Sequence, residues 1–513
     1  MPNITEENNK RIAKNALYLY LRMFLVLIIT LYTSRVILNV LGVEDYGIYN
    51  VVGGIVTLFS VLSGTLAAAI SRFLTFELGL NNKERLKTVF STSVTVQIIL
   101  SITIFIFAEI GGIWFLNTEM NIPSVRLHAA NWVLQCSILT FIMNLLSVPY
   151  NAAIIAHEHM KSFAYIGIMD VILKLGIVLS LFFCNNSDKL VIYAILLLIE
   201  AVFIRFIYII YCKKKFEECI YHFCYDKNVL KEIGSFASWN FIGSSSGILR
   251  DHGVNILLNI YGGPIINAAR GIAYQVSSAA LSLISNLQHA INPQITKSYA
   301  TNNHKYMITL SYQGARIGFY LLLLCFLPIL IDTNTVLYYW LNNVPEHTVT
   351  FVRLIIILVM SDAISQPLIT IMLATGNIRN YQIIVGGLQI LNFPLSYIFL
   401  KLGFTPEITM VIAIFISQLC LFARLLMLNR MINFPILLYI KKVYINVICT
   451  TVIALLLPFT IFNYISLDHR LMNFVSICLL SLLSTIISIY LVGCSNRERA
   501  FINHKIHSLI KKK

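Results

Sequence analysis

Charge is what this 513-residue sequence has least of: Asp, Glu, Lys and Arg together make up 12% of it. A soluble domain typically carries about 25%. Too little polar surface is left to cover a water-soluble globule of this size. Lipid is the alternative solvent, in which outward apolar side chains carry no penalty. Further absences narrow the function. The ten cysteines are scattered, form no CxxC pair and lie mostly in apolar runs, so neither a disulfide framework nor a metal site is expected. No GxxxxGK[ST] phosphate loop is present, which speaks against ATP as the energy source. His157-Glu158-His159 is not HExxH and reads as a solvated turn. No catalytic residue and no cofactor are expected. No loop is long enough to form a separate domain.

What is present is apolar. Hydrophobic residues make up 58% of the chain, and the mean hydropathy is +0.78. A helix needs about 20 mostly apolar residues to cross the hydrocarbon core. About fourteen such spans are predicted: 15–41, 48–73, 89–115, 131–156, 163–184, 190–212, 233–261, 268–295, 307–331, 350–376, 381–403, 408–431, 443–465 and 471–494. The seventh and eighth are unusually polar. The first is expected to be a membrane span and not a cleaved signal peptide, because it is too long for an h-region and no A-x-A site follows it. The fold class is therefore an all-α integral membrane protein.

The formal net charge is +15. In a membrane protein this reads as orientation, since Lys and Arg collect in cytoplasmic loops; no segment joins a basic patch to a nucleic-acid module. With the N-terminus placed in the cytoplasm and the spans alternating, the outer segments hold only Arg126, Lys189, Lys401 and Arg470, and the remaining loop cations, Arg72 and Arg424 among them, fall inside. This predicts cytoplasmic termini and an even helix count.

The largest loop, residues 213–232, carries the run Lys213-Lys214-Lys215 and is predicted to link two six-helix halves. The expected organisation is an N-terminal lobe at 1–212, a cytoplasmic linker at 213–232, a C-terminal lobe at 233–432, and two additional helices with a basic tail at 433–513. A short internal repeat agrees: Ile37-Leu38-Asn39-Val40-Leu41-Gly42 ends the first span, and Leu257-Leu258-Asn259-Ile260-Tyr261-Gly262 ends the seventh. Both spans run outward, so the repeat is parallel.

Several charges lie at membrane depth, where they are costly and tend to face a bundle interior or a wet cavity. Asp170 and Lys174 are four apart and can pair on one helix face. Glu200 and Arg205 can pair with neighbours. Arg205, Arg316 and Arg353 lie near span ends, where a long side chain reaches the interface. Arg22, Arg35 and Arg270 have no acid three or four residues away and are the candidates for lining a substrate path. The seventh span carries Asp251, Asn255 and Asn259 at helical spacing, with Arg250 and His252 beside them. The eighth carries Arg270, Ser278, Ser282, Ser285, His289 and Asn292. Such stripes do not face lipid; they serve either helix–helix hydrogen bonding or a water-filled cavity. Asp251, Asp362 and His289 are possible protonation sites. The basic excess at depth favours an anionic cargo, and the planar fork of arginine suits phosphate.

The stretch from Arg11 to Gly79 carries Tyr32-Thr33-Ser34-Arg35, the turn Leu41-Gly42-Val43-Glu44-Asp45-Tyr46-Gly47-Ile48-Tyr49, Gly53-Gly54 and Ser71-Arg72-Phe73-Leu74. It resembles the N-terminal region of Wzx-type oligosaccharide flippases. These form the polysaccharide transporter branch of the superfamily that also holds the multidrug and toxin extrusion (MATE) transporters. The resemblance implies two six-helix lobes around a central cavity plus two C-terminal helices. It implies a cargo of undecaprenyl-diphosphate-linked oligosaccharide, moved from the inner to the outer leaflet of the bacterial inner membrane by alternating access without ATP. Such transport serves surface polysaccharide assembly, lipopolysaccharide O-antigen included. Membrane lipids, and a polysaccharide polymerase machinery, would be the partners; nucleic acid would not. Arg22, Arg35, Arg270, Arg250, Asp251, Asn255 and His289 would contact substrate, and Arg72 would act in gating or orientation. Three alternatives stay open: a MATE-type antiporter of drugs or cations, a membrane-embedded enzyme of envelope polysaccharide assembly, and a flippase or scramblase for peptidoglycan precursor. The first needs cavity carboxylates, and the first span has none.

Overall fold

The computed structural model describes residues 2–57, 60–118, 123–183, 188–222, 226–341, 344–464, 470–495, 498–500 and 503. Every regular element among them is helical: α1 (Pro2–Thr57), α2 (Ser60–Leu80), α3 (Lys83–Thr118), α4 (Leu127–Ala156), α5 (Met160–Ser180), α6 (Lys189–Lys215), α7 (Lys227–Ala300), α8 (His304–Ile331), α9 (Thr333–Leu341), α10 (Thr348–Thr375), α11 (Arg379–Ile390), α12 (Asn392–Lys401), α13 (Ile408–Ile432), α14 (Ile436–Tyr439), α15 (Asn446–Tyr464) and α16 (Arg470–Ser488). A π-helical turn, Ile440–Ile445, continues α14 into α15.

Eleven of the fourteen expected spans coincide with helices long and apolar enough to cross a bilayer. The other three have identifiable reasons. Span 48–73 runs over residues 58 and 59, which lie outside the described residues. Spans 233–261 and 268–295 both fall in α7, whose polar stripes dilute its hydropathy. At 1.5 Å per residue, the 74 residues of α7 hold enough chain for two crossings of a core about 30 Å thick. Between the two spans stands Gly262-Gly263-Pro264. The first two spans are likewise joined without a loop. The helical path breaks at Gly42 (φ 79°, ψ 170°), a conformation that costs glycine little and other residues much. The all-α membrane architecture with about fourteen helices is thus borne out. Phe107 and Ile110 on α3 are 66% and 69% exposed, as lipid-facing side chains are.

The chain divides into two compact units: residues Met1–Ser244 with His289–Asn303, and Ser245–Gln288 with His304–Lys513. In the first, a core of Ala130, Val133, Leu134 and Ile138 from α4 meets Leu116 of α3, Leu190 and Ala194 of α6 and Val52 of α1. A smaller cluster joins Val36 and Ile37 of α1 to Val178, Leu181 and Tyr193. In the second unit, α8 packs on α10, α10 on α13, and α15 pairs with α16, which lies along α8. Arg316 of α8 does not reach for an interface. It is 9% exposed, and it donates to the Gly493 carbonyl at 2.9 Å and to Glu498 at 2.7 Å, anchoring the chain beyond α16. Arg353 is similarly engaged, with Thr333 Oγ1 at 3.0 Å.

Asp45, in the turn that follows Gly42, has a defined role. Arg126 donates to it through Nε at 2.8 Å and to Asp188, the N-cap of α6, through Nη1 at 2.8 Å. One guanidinium thereby joins α1, the approach to α4 and the start of α6. The Arg126→Ala variant would leave two carboxylates facing each other. It is expected to lose about 1–2 kcal/mol, a low value because the arginine is a quarter exposed. Thermal unfolding in detergent checks this: an unchanged midpoint would show the cluster to be energetically idle.

Candidate functional site

Two basic clusters occur at membrane depth, one in each unit. In the first unit Arg22 of α1 lies on one face of α5. Its guanidinium carbon is 4.5 Å from the centroid of the Phe163 ring. One turn on, Gly167 makes room for it: a Cβ built there would meet Arg22 Nε at 2.3 Å. Asp170 and Lys174 continue the same face, and Lys174 Nζ donates to both Asp170 oxygens at 2.9 Å, as their spacing predicts. Asp170 and Tyr208 of α6 lie within electrostatic reach of Arg22, and Glu200 of α6 lies beside Asp170. His289 joins from α7 with its ring 6.3 Å from Phe163. Arg22 has no acid near it in sequence because its counter-charge comes from another helix. Its Nε is buried with no hydrogen-bond partner among the described residues.

In the second unit Arg250 Nε donates to the neighbouring Asp251 at 2.9 Å. Tyr274 Oη donates to the same Asp251 oxygen at 3.1 Å and accepts from Arg270 Nη2 at 3.1 Å. A chain Arg250–Asp251–Tyr274–Arg270 results, with the Arg270 carbon 5.0 Å from the Tyr274 ring. Arg270 is 4% exposed, yet its Nε and Nη1 have no partner among the described residues. Such orphaned donors on a buried cation are rare, and each calls for an explanation. Asp362 lies within electrostatic reach of Arg250 and Arg424 and accepts from Ser417 Oγ at 2.5 Å.

The predicted site residues thus separate. Arg22 and His289 fall together in the first unit, and Arg250, Asp251 and Arg270 fall together in the second. Asn255 is exposed. The side chains of Arg35, His252 and Asn259 lie outside the described residues. Ser278 turns its hydroxyl to its own helix, donating to the Tyr274 carbonyl at 3.0 Å. Arg72 stands in an aromatic setting, its guanidinium 4.6, 4.7 and 5.9 Å from the rings of Phe73, Phe76 and Phe236.

Phe163, Gly167, Tyr208 and Tyr274 are absent from the sequence-derived set. Tyr274 carries a signal, one helical turn after Arg270. The others carry none, because an aromatic or a glycine in a membrane span has too many ordinary explanations. Arg424 is also displaced from its expected place. It is 4% exposed within α13, with Nε 3.4 Å from Tyr381 Oη, and is not a loop charge.

His157-Glu158-His159 needs correction as well. His159 is exposed, but Glu158 is buried. His157 stacks on Phe216 at 4.0 Å and pairs with Glu218. Burial would raise the Glu218 carboxyl, but hydrogen bonds from His157 and the backbone hold it below the usual range.

No protein-family model matches this sequence, and no curated protein matches it. Solved structures do. An outward-facing multidrug resistance MATE family transporter of the MOP superfamily superposes with a TM-score of 0.69 at 14% identity, over 83% of this chain and 95% of that one. A MATE in its bent conformation gives 0.67 at 16% identity, over 85% and 97%. A MOP superfamily transporter from Pyrococcus furiosus, described by the reversed polarity of its binding pocket, gives 0.65 at 14% identity, over 84% and 96%. Nearly the whole length of each of these transporters is matched, and this multi-pass chain has the fold they share.

Proposed function

We propose that this protein is a flippase. It moves undecaprenyl-diphosphate-linked oligosaccharide from the inner to the outer leaflet of the bacterial inner membrane, for assembly of a surface polysaccharide such as O-antigen. It acts by alternating access without ATP, with both termini cytoplasmic, and it is not an enzyme. One observation carries the reading: at membrane depth the guanidinium groups have donors to spare. Among the described residues, Arg270 offers Nε and Nη1, and Arg22 offers Nε. Asp170 already holds Lys174, and Asp251 already holds Arg250 and Tyr274. A site with surplus N–H donors and engaged aspartates favours an anion with several acceptor oxygens, which is the chemistry of a diphosphate. Arg22 and Arg35 with His289 in the first unit, and Arg250 and Arg270 with Asn255 in the second, are each proposed to contact substrate within their own unit; Asp251 orients Arg250. Arg72 is proposed for gating or orientation.

The fold likeness also keeps cation antiport in view, because one neighbour is a multidrug transporter by its description. Complementation separates the two. The chain is expressed in a bacterial strain lacking the flippase for its cognate glycan, and surface polysaccharide is scored. Restored glycan is expected. Failure with the glycan present, together with acquired resistance to organic cations, would move antiport ahead.

A further inference from the structure

α4 ends in a way that places a carboxylate where none is needed for the turn. Its last residues form a left-handed cap: the Glu158 amide donates to the Ile155 carbonyl at 2.9 Å and the His159 amide to the Ile154 carbonyl at 3.0 Å. Glycine or asparagine usually holds the position with positive φ. α2 and α7 follow that rule with Asn81 (φ 55°) and Asn302 (φ 57°). α4 instead has Glu158 at φ 61°, a strained choice for a side chain of that length. The strain has a product. The carboxylate is turned inward until it is 1% exposed, and three donors from two other helices converge on it. Lys297 Nζ donates at 2.6 Å and Gln294 Nε2 at 2.8 Å from α7, and Arg11 Nε lies at 3.0 Å from α1. The hub therefore grips residues 294 and 297. These belong to the short stretch His289–Asn303 of α7 that is compact with the first unit, while the preceding Ser245–Gln288 belongs to the second. Close packing reinforces the grip: a Cβ at Gly79 of α2 would meet the Ala300 Cβ at 2.9 Å and Lys297 backbone atoms at 3.1 and 3.2 Å.

We infer that Glu158 is a latch residue: it holds the end of α7 on the first unit through Lys297 and Gln294 and releases it once per transport cycle. The inference rests on the alternating-access reading. A purely structural carboxylate could sit on a helix interior without backbone strain. One on a strained cap, satisfied by three donors from two other helices, is placed to be let go. No proton or bond changes hands; only the ion pairs and the hydrogen bond are exchanged for water.

Ser298, 6% exposed on the gripped stretch, is nearly isosteric with cysteine and serves as reporter. Ser298→Cys is labelled with a maleimide in permeabilised membranes, and modification at residue 298 is read by peptide mass spectrometry. Labelling is expected to be slow. Adding Glu158→Gly, which suits the cap but removes the carboxylate, should accelerate it about tenfold. Gly79→Ala, which crowds the same contact without altering charge, should act in the same direction. The exchanged pair Glu158→Lys with Lys297→Glu should restore slow labelling. Equal rates in the parent and Glu158→Gly would overturn the latch. Labelling needs no cargo, so it is separable from flippase function. Accelerated labelling with no glycan movement by the parent would sink the flippase reading and leave the latch standing; normal flipping with unchanged labelling would do the reverse.

Discussion

Arg270→Ala is expected to abolish glycan export while the protein stays inserted at the parental level. Arg270 is buried at 4% exposure with two donors unfilled among the described residues. A charge-assisted hydrogen bond contributes about 1.5–3 kcal/mol. Losing two of them to a diphosphate corresponds to at least a hundredfold fall in apparent affinity, at about 1.4 kcal/mol per decade. Stability should move little or upward, because a buried cation that lacks full compensation is a burden on the fold. Arg270→Lys keeps the charge but replaces a planar fork with a point donor, so an intermediate loss of about tenfold is expected. Tyr274→Phe should fall between parent and alanine, since Arg270 then loses its link to Asp251. Surface polysaccharide, normalised to membrane protein on a blot, is the measurement. Full export by stably inserted Arg270→Ala would remove Arg270 from the substrate path.

Gly167→Leu should mimic Arg22→Ala without touching the arginine. The atoms nearest an added Cβ at Gly167 are Nε at 2.3 Å and Cζ and Nη2 at 3.0 Å, all in the Arg22 head group. That head sits at the end of a flexible side chain, so the helices need not part, but the guanidinium must leave Phe163 and its place near His289. A large loss of export with normal insertion is expected, and Gly167→Ala should show a smaller loss. Combining Gly167→Leu with Arg22→Ala should add little, because both act on one group. Additive losses in the double variant would show that Gly167 acts through something other than Arg22.

Much of this molecule was legible in its composition and in the lengths of its apolar runs. Scarce charge and about fourteen apolar spans, eleven of them matched by helices of membrane length, pointed to an all-helical membrane protein, because lipid offers backbone groups no partner and leaves helices as the local solution. The pairing of Asp170 with Lys174 was legible too, since a four-residue spacing is itself the geometry. What only the tertiary structure decided concerns partners distant in the chain. Sequence placed Arg22 and Arg270 in one class, as cations without a nearby acid. Packing gave Arg22 a glycine cradle and Asp170 across α5, and gave Arg270 a tyrosine bridge to Asp251. It turned Arg316 inward to the chain after α16, buried Arg424, and changed Glu158 from a solvated loop acid into the centre of three converging donors. The physical reason is common to all of these. Burial at membrane depth makes an unsatisfied charge so costly that it takes whatever partner the packed helices bring within reach, and that partner is set by which faces meet, not by distance along the chain.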